Sequence, residues 1–272
     1  MAQSTETASA TNAATSTATT HQFWETAFTK ERKLTTFDES FAHKGSKTHR
    51  AFYEIIGDVK GKEILEVGCG AGKLSVFLAT RGAHVTSTDF TQNALENTRA
   101  LAAHNGVADK ITLKQLDGLD LGSLNKQYDL VVGRFVLHHI EPFDQFVGVL
   151  HNVLKEDGRG VFFENNSRNP FLMFARENIA GKMGIPKYGD DEEYPLEQQE
   201  IEMIQKRFKR VTQHFPELVF FKKLDTYIFR HNRLFSPLLK LNKWLDASLF
   251  TLVPGSRKFS YLQIVEMVKG KS

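Results

Sequence analysis

Between Ile64 and Lys73 the chain reads ILEVGCGAGK: an apolar run of strand length, then three glycines within five residues, then a helix-forming stretch. Few features restrict a fold more. A strand that is apolar on both sides asks for a parallel sheet covered on both faces. Gly68, Gly70 and Gly72 remove three Cβ atoms where that strand ends. Their absence frees the backbone for left-handed angles or for close approach by another group. Two explanations compete: a nucleotide cofactor resting on the loop, or a bare tight turn between strand and helix.

The flanking sequence extends the pattern. Segments near 63–67, 84–88, 110–115, 128–133 and 159–164 read as strands, and 71–80, 91–105 and 142–154 as helices. This alternation implies parallel pairing through right-handed crossovers. Upstream, 21–41 mixes aromatics with charges and reads as partly helical, and Thr48 to Ile56 reads as a helix ended by Gly57. After Glu164 the alternation stops. Helices are expected over 171–182, 196–210 and 237–252, with a strand pair around 217–229 and 260–268. The last helix has Ser236 as N-cap and Pro237 in its first turn. Leu238, Leu241, Leu245, Leu249 and Leu252 form an apolar stripe along it. A stripe of that length asks for cover, which makes this helix a candidate lid over a partly apolar acceptor, with Trp244 and Phe250 at the entrance. Lys222, Lys223, Arg230, Arg233, Lys240 and Lys243 flank it, so a basic amphipathic surface on a bilayer is the competing reading.

Composition narrows the partners. The chain carries 35 Lys plus Arg against 32 Asp plus Glu, too small an excess for nucleic acid as the main partner. The single cysteine, Cys69, allows no intrachain disulfide. The first twenty residues are rich in Ala, Thr and Ser, lack the pattern of a signal or transit peptide, and are expected to be disordered. No apolar run approaches the roughly 20 residues of a membrane span. A cytoplasmic protein is expected. The acidic run Asp190, Asp191, Glu192 and Glu193 reads as a solvated loop, because hard-cation sites draw carboxylates from fixed, separated positions. No metal is expected.

In an open parallel sheet, ligands bind beyond the C-terminal strand ends, near the point where strand order reverses. The helix after the glycine loop turns its N-terminus to that spot, which favours a carboxylate or phosphate. The spacing is G-x-G-x-G, neither the dinucleotide fingerprint G-x-G-x-x-G nor a Walker loop, which disfavours a nicotinamide-dependent oxidoreductase. Asp89 ends the second strand, where a carboxylate can accept from both ribose hydroxyls of a nucleoside; a strand-end or helix-capping acid is the plain alternative. Asp117 follows the third strand, within reach of an adenine amino group.

Taken in order, ILEVGCGAG, VTSTDF, QLDG, YDLVVGRFVLHHI and LKEDGRGVFFEN, spanning about 60–165, resemble the class I S-adenosylmethionine-dependent methyltransferases. The nearest subgroup methylates small molecules and includes the ubiquinone and menaquinone enzymes. The resemblance implies a Rossmann-like, doubly wound α/β fold with a mostly parallel seven-stranded sheet, helices on both faces and a helical lid. It implies S-adenosyl-L-methionine as cofactor and a small-molecule acceptor methylated on O or N. A disordered tail at 1–20, an N-terminal helical cap at 21–57, a cofactor core at 58–167, substrate-covering insertions at 168–258 and a final strand within 259–272 would follow.

By the same resemblance, Glu66, Gly68, Cys69, Gly70 and Gly72 would shape the pocket for the methionine part, with the Cys69 thiol a small buried filler rather than a nucleophile. Asp89 would hold the ribose and Phe90 the adenine. Asp117 and Gly118 would face the adenine amino group and ring. The backbone at Gly133 and Arg134 would contact the methionine amino group, while the role of the Arg134 side chain stays open. His139, then His138, are candidate general bases after the fourth strand. Glu164, Asn165 and Asn166, at the end of the fifth, are candidates to bind acceptor hydroxyls. A non-catalytic binding protein and an enzyme acting on lipid or quinone at a membrane surface are the other readings.

Overall fold

The computed structural model describes residues 22–29, 34–178, 194–219, 221 and 236–270. The expected tail at 1–20, the acidic run at 190–193 and the basic residues at 222–233 lie outside them. Seven strands form one sheet: β1 (Glu63–Val67), β2 (His84–Asp89), β3 (Ile111–Gln115), β4 (Tyr128–Arg134), β5 (Leu154–Asn165), β6 (Arg210–His214) and β7 (Leu262–Val268). Their order is β3-β2-β1-β4-β5-β7-β6. The first five pair in parallel, and β7 runs antiparallel to both β5 and β6. This is the mostly parallel, doubly wound sheet that the alternation implies.

The helices are α1 (residues 22–27), α2 (Lys47–Ile56), α3 (Lys73–Thr80), α4 (Gln92–His104), α5 (Phe143–Val153), α6 (Pro170–Asn178), α7 (Gln198–Arg207) and α8 (Ser236–Leu252). Strand residues alternate between two cores, as a pleated sheet requires. Ile64, Leu130, Val132, Val161 and Phe163 join Phe52 and Tyr53 of α2 and Leu74 and Phe77 of α3 on one face. Leu65, Val67, Val131 and Phe162 join Phe146 and Leu150 of α5 and Ile201 and Ile204 of α7 on the other. By this parity Glu66 and Arg134 belong to the α2 face, and Glu164 to the α5 face.

α2 is pinned at both ends. Arg159 of β5 donates to the carbonyls of Ile55 at 2.6 Å and Ile56 at 2.5 Å, and pairs with Glu266 of β7 at 3.2 Å. A cation against the last carbonyls of a helix satisfies groups that have no intrahelical partner. At the other end, Glu217 Oε1 accepts from the backbone N–H and hydroxyl of Thr48.

Two expectations need correction. The strand beside β7 is Arg210–His214, not 217–229. Residues 215–219 have no regular structure, and 222–229 lie outside the described residues. RVTQH is polar because it is an edge strand, paired on one side only. The apolar signature of a doubly buried strand is absent from it. The leucine stripe of α8 does not form a buried face either. Trp244 is 63% and Leu252 78% exposed, Leu241 is also exposed, and the buried residues are Asn242 and Asp246. Asp246 Oδ1 accepts from the Phe221 N–H at 2.9 Å. A hydrogen bond to a backbone group lets a carboxylate be buried where an apolar pattern would place leucine.

Candidate functional site

The strand order reverses between β1 and β4, and the chemistry-bearing residues gather beyond the C-terminal ends of those strands, as the general rule for such sheets requires. The glycine loop lies there. Gly68 and Gly72 adopt φ of +66° and +72°, angles that disfavour any residue with a Cβ. A Cβ at Gly68 would stand 2.7 Å from Val136 Cγ2, and one at Gly72 2.6 Å from Thr98 Oγ1. The first and third glycines are therefore explained by backbone angle and protein packing before any ligand is considered. Gly70 shares the positive φ, at +50°, and its added Cβ would meet the Phe28 ring at 3.2 Å. Cys69 is buried, its thiol pushed well above the usual range by burial first. It fills space, as expected.

Asp89 ends β2 almost fully buried. Its Oδ2 accepts from Gly70 N–H at 2.9 Å, and its Oδ1 from Thr91 N–H at 3.0 Å and the Thr91 hydroxyl at 2.7 Å. The carboxylate ties the glycine loop to the start of α4. Oδ2 has the capacity to accept a second hydrogen bond. Burial raises the Asp89 pKa above the ordinary value, against these hydrogen bonds. Phe90 is half-buried beside it. Asp117 is exposed, and its Oδ1 caps the following turn by accepting from Leu119 N–H at 2.9 Å. Gly118 packs against Ile140, which leaves no room for a side chain.

At the exit of β4 the chain turns sharply. Phe135 sits at φ +55°, rare for a bulky residue, and its N–H donates to Phe163 O at 2.8 Å. The turn aims two consecutive N–H groups, those of Val136 and Leu137, at Glu164 Oε1, each at 2.9 Å. Glu164 Oε2 lies 2.7 Å from His138 Nδ1. Glu164 is fully buried. A carboxylate that already accepts two backbone bonds requires the imidazole Nδ1 to be the donor, so Nε2 is the nitrogen able to take a proton. Glu164 thus holds a histidine rather than an acceptor hydroxyl. Its partner is His138 and not His139. Asn166 is also structural: its Nδ2 donates to the carbonyls of Lys258 and Ser260. Glu200 of α7 lies within electrostatic reach of His138, and burial pushes its pKa up to about 7.

α1 lies across this edge. Asn93 and Asn97 of α4 donate to the carbonyls of Glu25 and Phe28 at 3.1 and 2.9 Å. Trp24 stacks on Phe28 and meets the His139 ring edge-on at 5.5 Å. The His138 and His139 rings are 4.1 Å apart. One short helix therefore touches the glycine loop and the histidine pair together. Nothing in the sequence pattern placed it there, since its aromatics read equally well as core. The Glu164–His138 pair left only one trace in the sequence, an acid closing the apolar run GVFFEN.

A central glycine loop, an acid ending β2, and an antiparallel β7 inserted beside β5 define the class. The sheet is that of the Rossmann-like methyltransferase fold. Residues 64–158 match the family described as "Methyltransferase domain". Within that class the core is similar to ubiquinone biosynthesis O-methyltransferases. It is 31% identical over 143 residues to that of Rickettsia conorii, covering 52% of this chain and 48% of the relative. It is 35% identical over 118 residues to that of Bordetella parapertussis, covering 43% and 48%. The match spans about half the length of these relatives. Among solved structures, the N-methyltransferase NodS from Bradyrhizobium japonicum, in complex with S-adenosyl-L-homocysteine, superposes with a TM-score of 0.55 at 12% identity, over 93% of this chain and 99% of that one. The [4+2]-cyclase SpnF does so at 0.53 and 13%, over 82% and 81%. These likenesses show the fold alone, and a cyclase among them shows that the reaction has to be argued from the site.

The residues present fit the cofactor of this class. Buried polar atoms are nearly always paired, yet Arg134 Nε, Tyr53 Oη and Glu25 Oε2 have no hydrogen-bond partner among the described residues. A ligand with both cationic and anionic groups would satisfy such a mixed set of donors and acceptors. Asp89 would accept from the ribose, and the loop at Gly68 to Gly72 would hold the amino-acid end.

Proposed function

We propose that this chain methylates a hydroxyl group on a small, partly apolar acceptor. The carrying observation is the Glu164–His138 pair beyond the C-terminal ends of β4 and β5. Bound there, S-adenosyl-L-methionine would supply a methyl group on a good leaving group, so the protein's task is alignment and water exclusion. A hydroxyl acceptor must also lose its proton. His138 Nε2 takes that proton, and Glu164 steadies the imidazolium and fixes its tautomer. An oxygen acceptor uses this base fully, which is why O-methylation is preferred over N-methylation. The similar ubiquinone biosynthesis O-methyltransferases point to a phenolic ring related to quinones. α1, with Trp24 and Phe28, closes the site from above, and His139 lines it beside Trp24. We place the reaction in the cytoplasm; a lone, buried, unpaired cysteine agrees with a reducing compartment.

The test is turnover with labelled S-adenosyl-L-methionine and a panel of catechol-type phenols, followed by mass detection of the labelled product. His138→Gln should lower kcat by about 10²–10⁴-fold, the usual worth of a general base. Its affinity for S-adenosylhomocysteine should stay within about twofold. Undiminished turnover in a folded His138→Gln protein would remove the base from the mechanism. If His139→Gln alone abolished turnover, the role would pass to that residue.

A further inference from the structure

Helix α8 is amphipathic in the inverse sense. Its buried residues are the polar Asn242 and Asp246, and its outer residues are apolar. At about 100° per residue, Trp244 falls opposite that pair, with Leu241 and Leu252 beside it. The turn Pro254–Phe259 folds back on the helix. Arg257 Nε donates to the Phe250 carbonyl at 3.0 Å and its guanidinium covers the Phe250 ring at 4.5 Å, while Ser256 donates to the Leu249 carbonyl at 3.0 Å. Val253 and Phe259 are exposed there. Five of the ten large apolar side chains exposed among the described residues therefore lie in one stretch, 241–259. Scattered exposed apolar residues are ordinary, but a cluster marks an interaction surface. Its charges have one sign. From 236 to 259 the exposed charged residues are Lys240, Lys243 and Lys258, and the one acid, Asp246, is buried. Lys240 and Lys243 lie on the other side of Trp244 from the leucines.

We propose that α8 and the turn after it form a docking surface for an anionic lipid bilayer. A second copy of the chain would set lysine against lysine across a two-fold interface. A protein partner fits the cations poorly, because protein interfaces are enriched in arginine and depleted in lysine. A bilayer takes the whole set. The Trp244 ring and the leucine tips enter the boundary between headgroups and acyl chains, and the lysine stems lie along it with their ammonium groups among the phosphates. No helix among the described residues is long and apolar enough to cross a membrane, and this contact is with one leaflet. The surface is fastened to the end of the sheet that carries His138. Just beyond β5, Asn166 Nδ2 donates to the carbonyls of Lys258 and Ser260, and Asn169 Nδ2 to that of Phe259 at 2.7 Å. Docking would hold the site beside the phase in which a partly apolar acceptor collects. The surface itself does not depend on the reaction proposed above, and its test uses no turnover.

The test is co-sedimentation of the full chain with two sets of vesicles, phosphatidylcholine alone and phosphatidylcholine mixed with phosphatidylglycerol. The mixed vesicles should bind at least about tenfold more strongly, and added salt should release part of the protein. Lys240→Gln with Lys243→Gln should lower binding to mixed vesicles by about thirtyfold and leave phosphatidylcholine binding unchanged. Trp244→Ser with Leu252→Ser should weaken binding to both sets by at least about tenfold. All four side chains are exposed, so the melting temperature, measured alongside, should not change. Trp244 and Trp24 are the two tryptophans. Mixed vesicles should shift tryptophan emission to the blue in the wild type and not in Trp244→Phe. No binding to either vesicle, equal binding to both, or binding indifferent to the lysines would overturn the proposal. The same blue shift in Trp244→Phe would do so too, since Trp24 would then be the ring that meets lipid. A dimer in sedimentation velocity that Trp244→Ser dissolves would give the face to a second copy and overturn it as well.

Discussion

Glu66 is a buried acid whose protonation can be read through stability. Its side chain is all but inaccessible, and burial raises its pKa from an ordinary 4.5 to about 8, against the opposing Ser75 hydrogen bond and the Arg134 charge. Folding therefore favours the protonated form. The stability this contributes is complete below pH 4.5, declines as the unfolded chain ionises, and is lost by the time pH passes 8. At about 1.4 kcal/mol per pH unit, the whole loss is about 5 kcal/mol, of which about 3–4 kcal/mol falls between pH 5 and pH 8. Glu66→Gln has nearly the same shape, can still bond to Ser75, and does not titrate. Guanidinium unfolding of both proteins at pH 5, 6, 7 and 8 isolates the effect, because other groups titrate alike and cancel in the difference. The variant should gain on the wild type by about 3 kcal/mol across that range. A difference constant to within about 0.5 kcal/mol would refute the reasoning, since Glu66 would then carry the same charge folded and unfolded.

Three further outcomes are expected. Asp89→Asn should weaken S-adenosylhomocysteine and methylthioadenosine alike, by about 1.5–3 kcal/mol, because both keep the ribose; titration calorimetry showing unchanged affinity would take Asp89 out of the site. Trp244→Gln should shift stability by less than about 0.5 kcal/mol, as an exposed residue should, and thermal melting would show a larger drop if the leucine stripe were core. Asn97→Ala should loosen α1 and speed proteolysis near Phe28 without changing the melting temperature of the sheet domain, and an unchanged digestion rate would mean that the amide does not hold the helix.

The central strands were legible because burial on both sides leaves a continuous apolar signature, and the glycine loop because positive φ is written as glycine. β6 was not, because an edge strand can be as polar as a loop and 210–214 carries no run to read. α8 misled for the opposite reason. Its leucines have true helical spacing, but spacing tells which residues share a face and not which face turns inward. Buried Asp246, satisfied by the Phe221 N–H, decided that. At the site, single residues such as Asp89 were readable by place in the chain. The pairing of Glu164 with His138 was not, since it depends on a backbone turn that brings together two residues 26 apart in the chain. Tyr53 belonged to a helix that the pattern assigned to packing, and only its orphaned hydroxyl reveals more.

That backbone turn has a consequence for anyone altering the protein. Phe135 is held in the left-handed region, which costs a residue with a bulky side chain about 1–3 kcal/mol. Glycine or asparagine there would relieve the strain, so a screen ranking variants by heat resistance alone would favour them. The same strain aims two amides at Glu164. Relaxed variants would let that carboxylate, and the imidazole it carries, drift from alignment. Thermal robustness and turnover are thus set against each other at one residue, and only a screen that scores both would leave Phe135 in place.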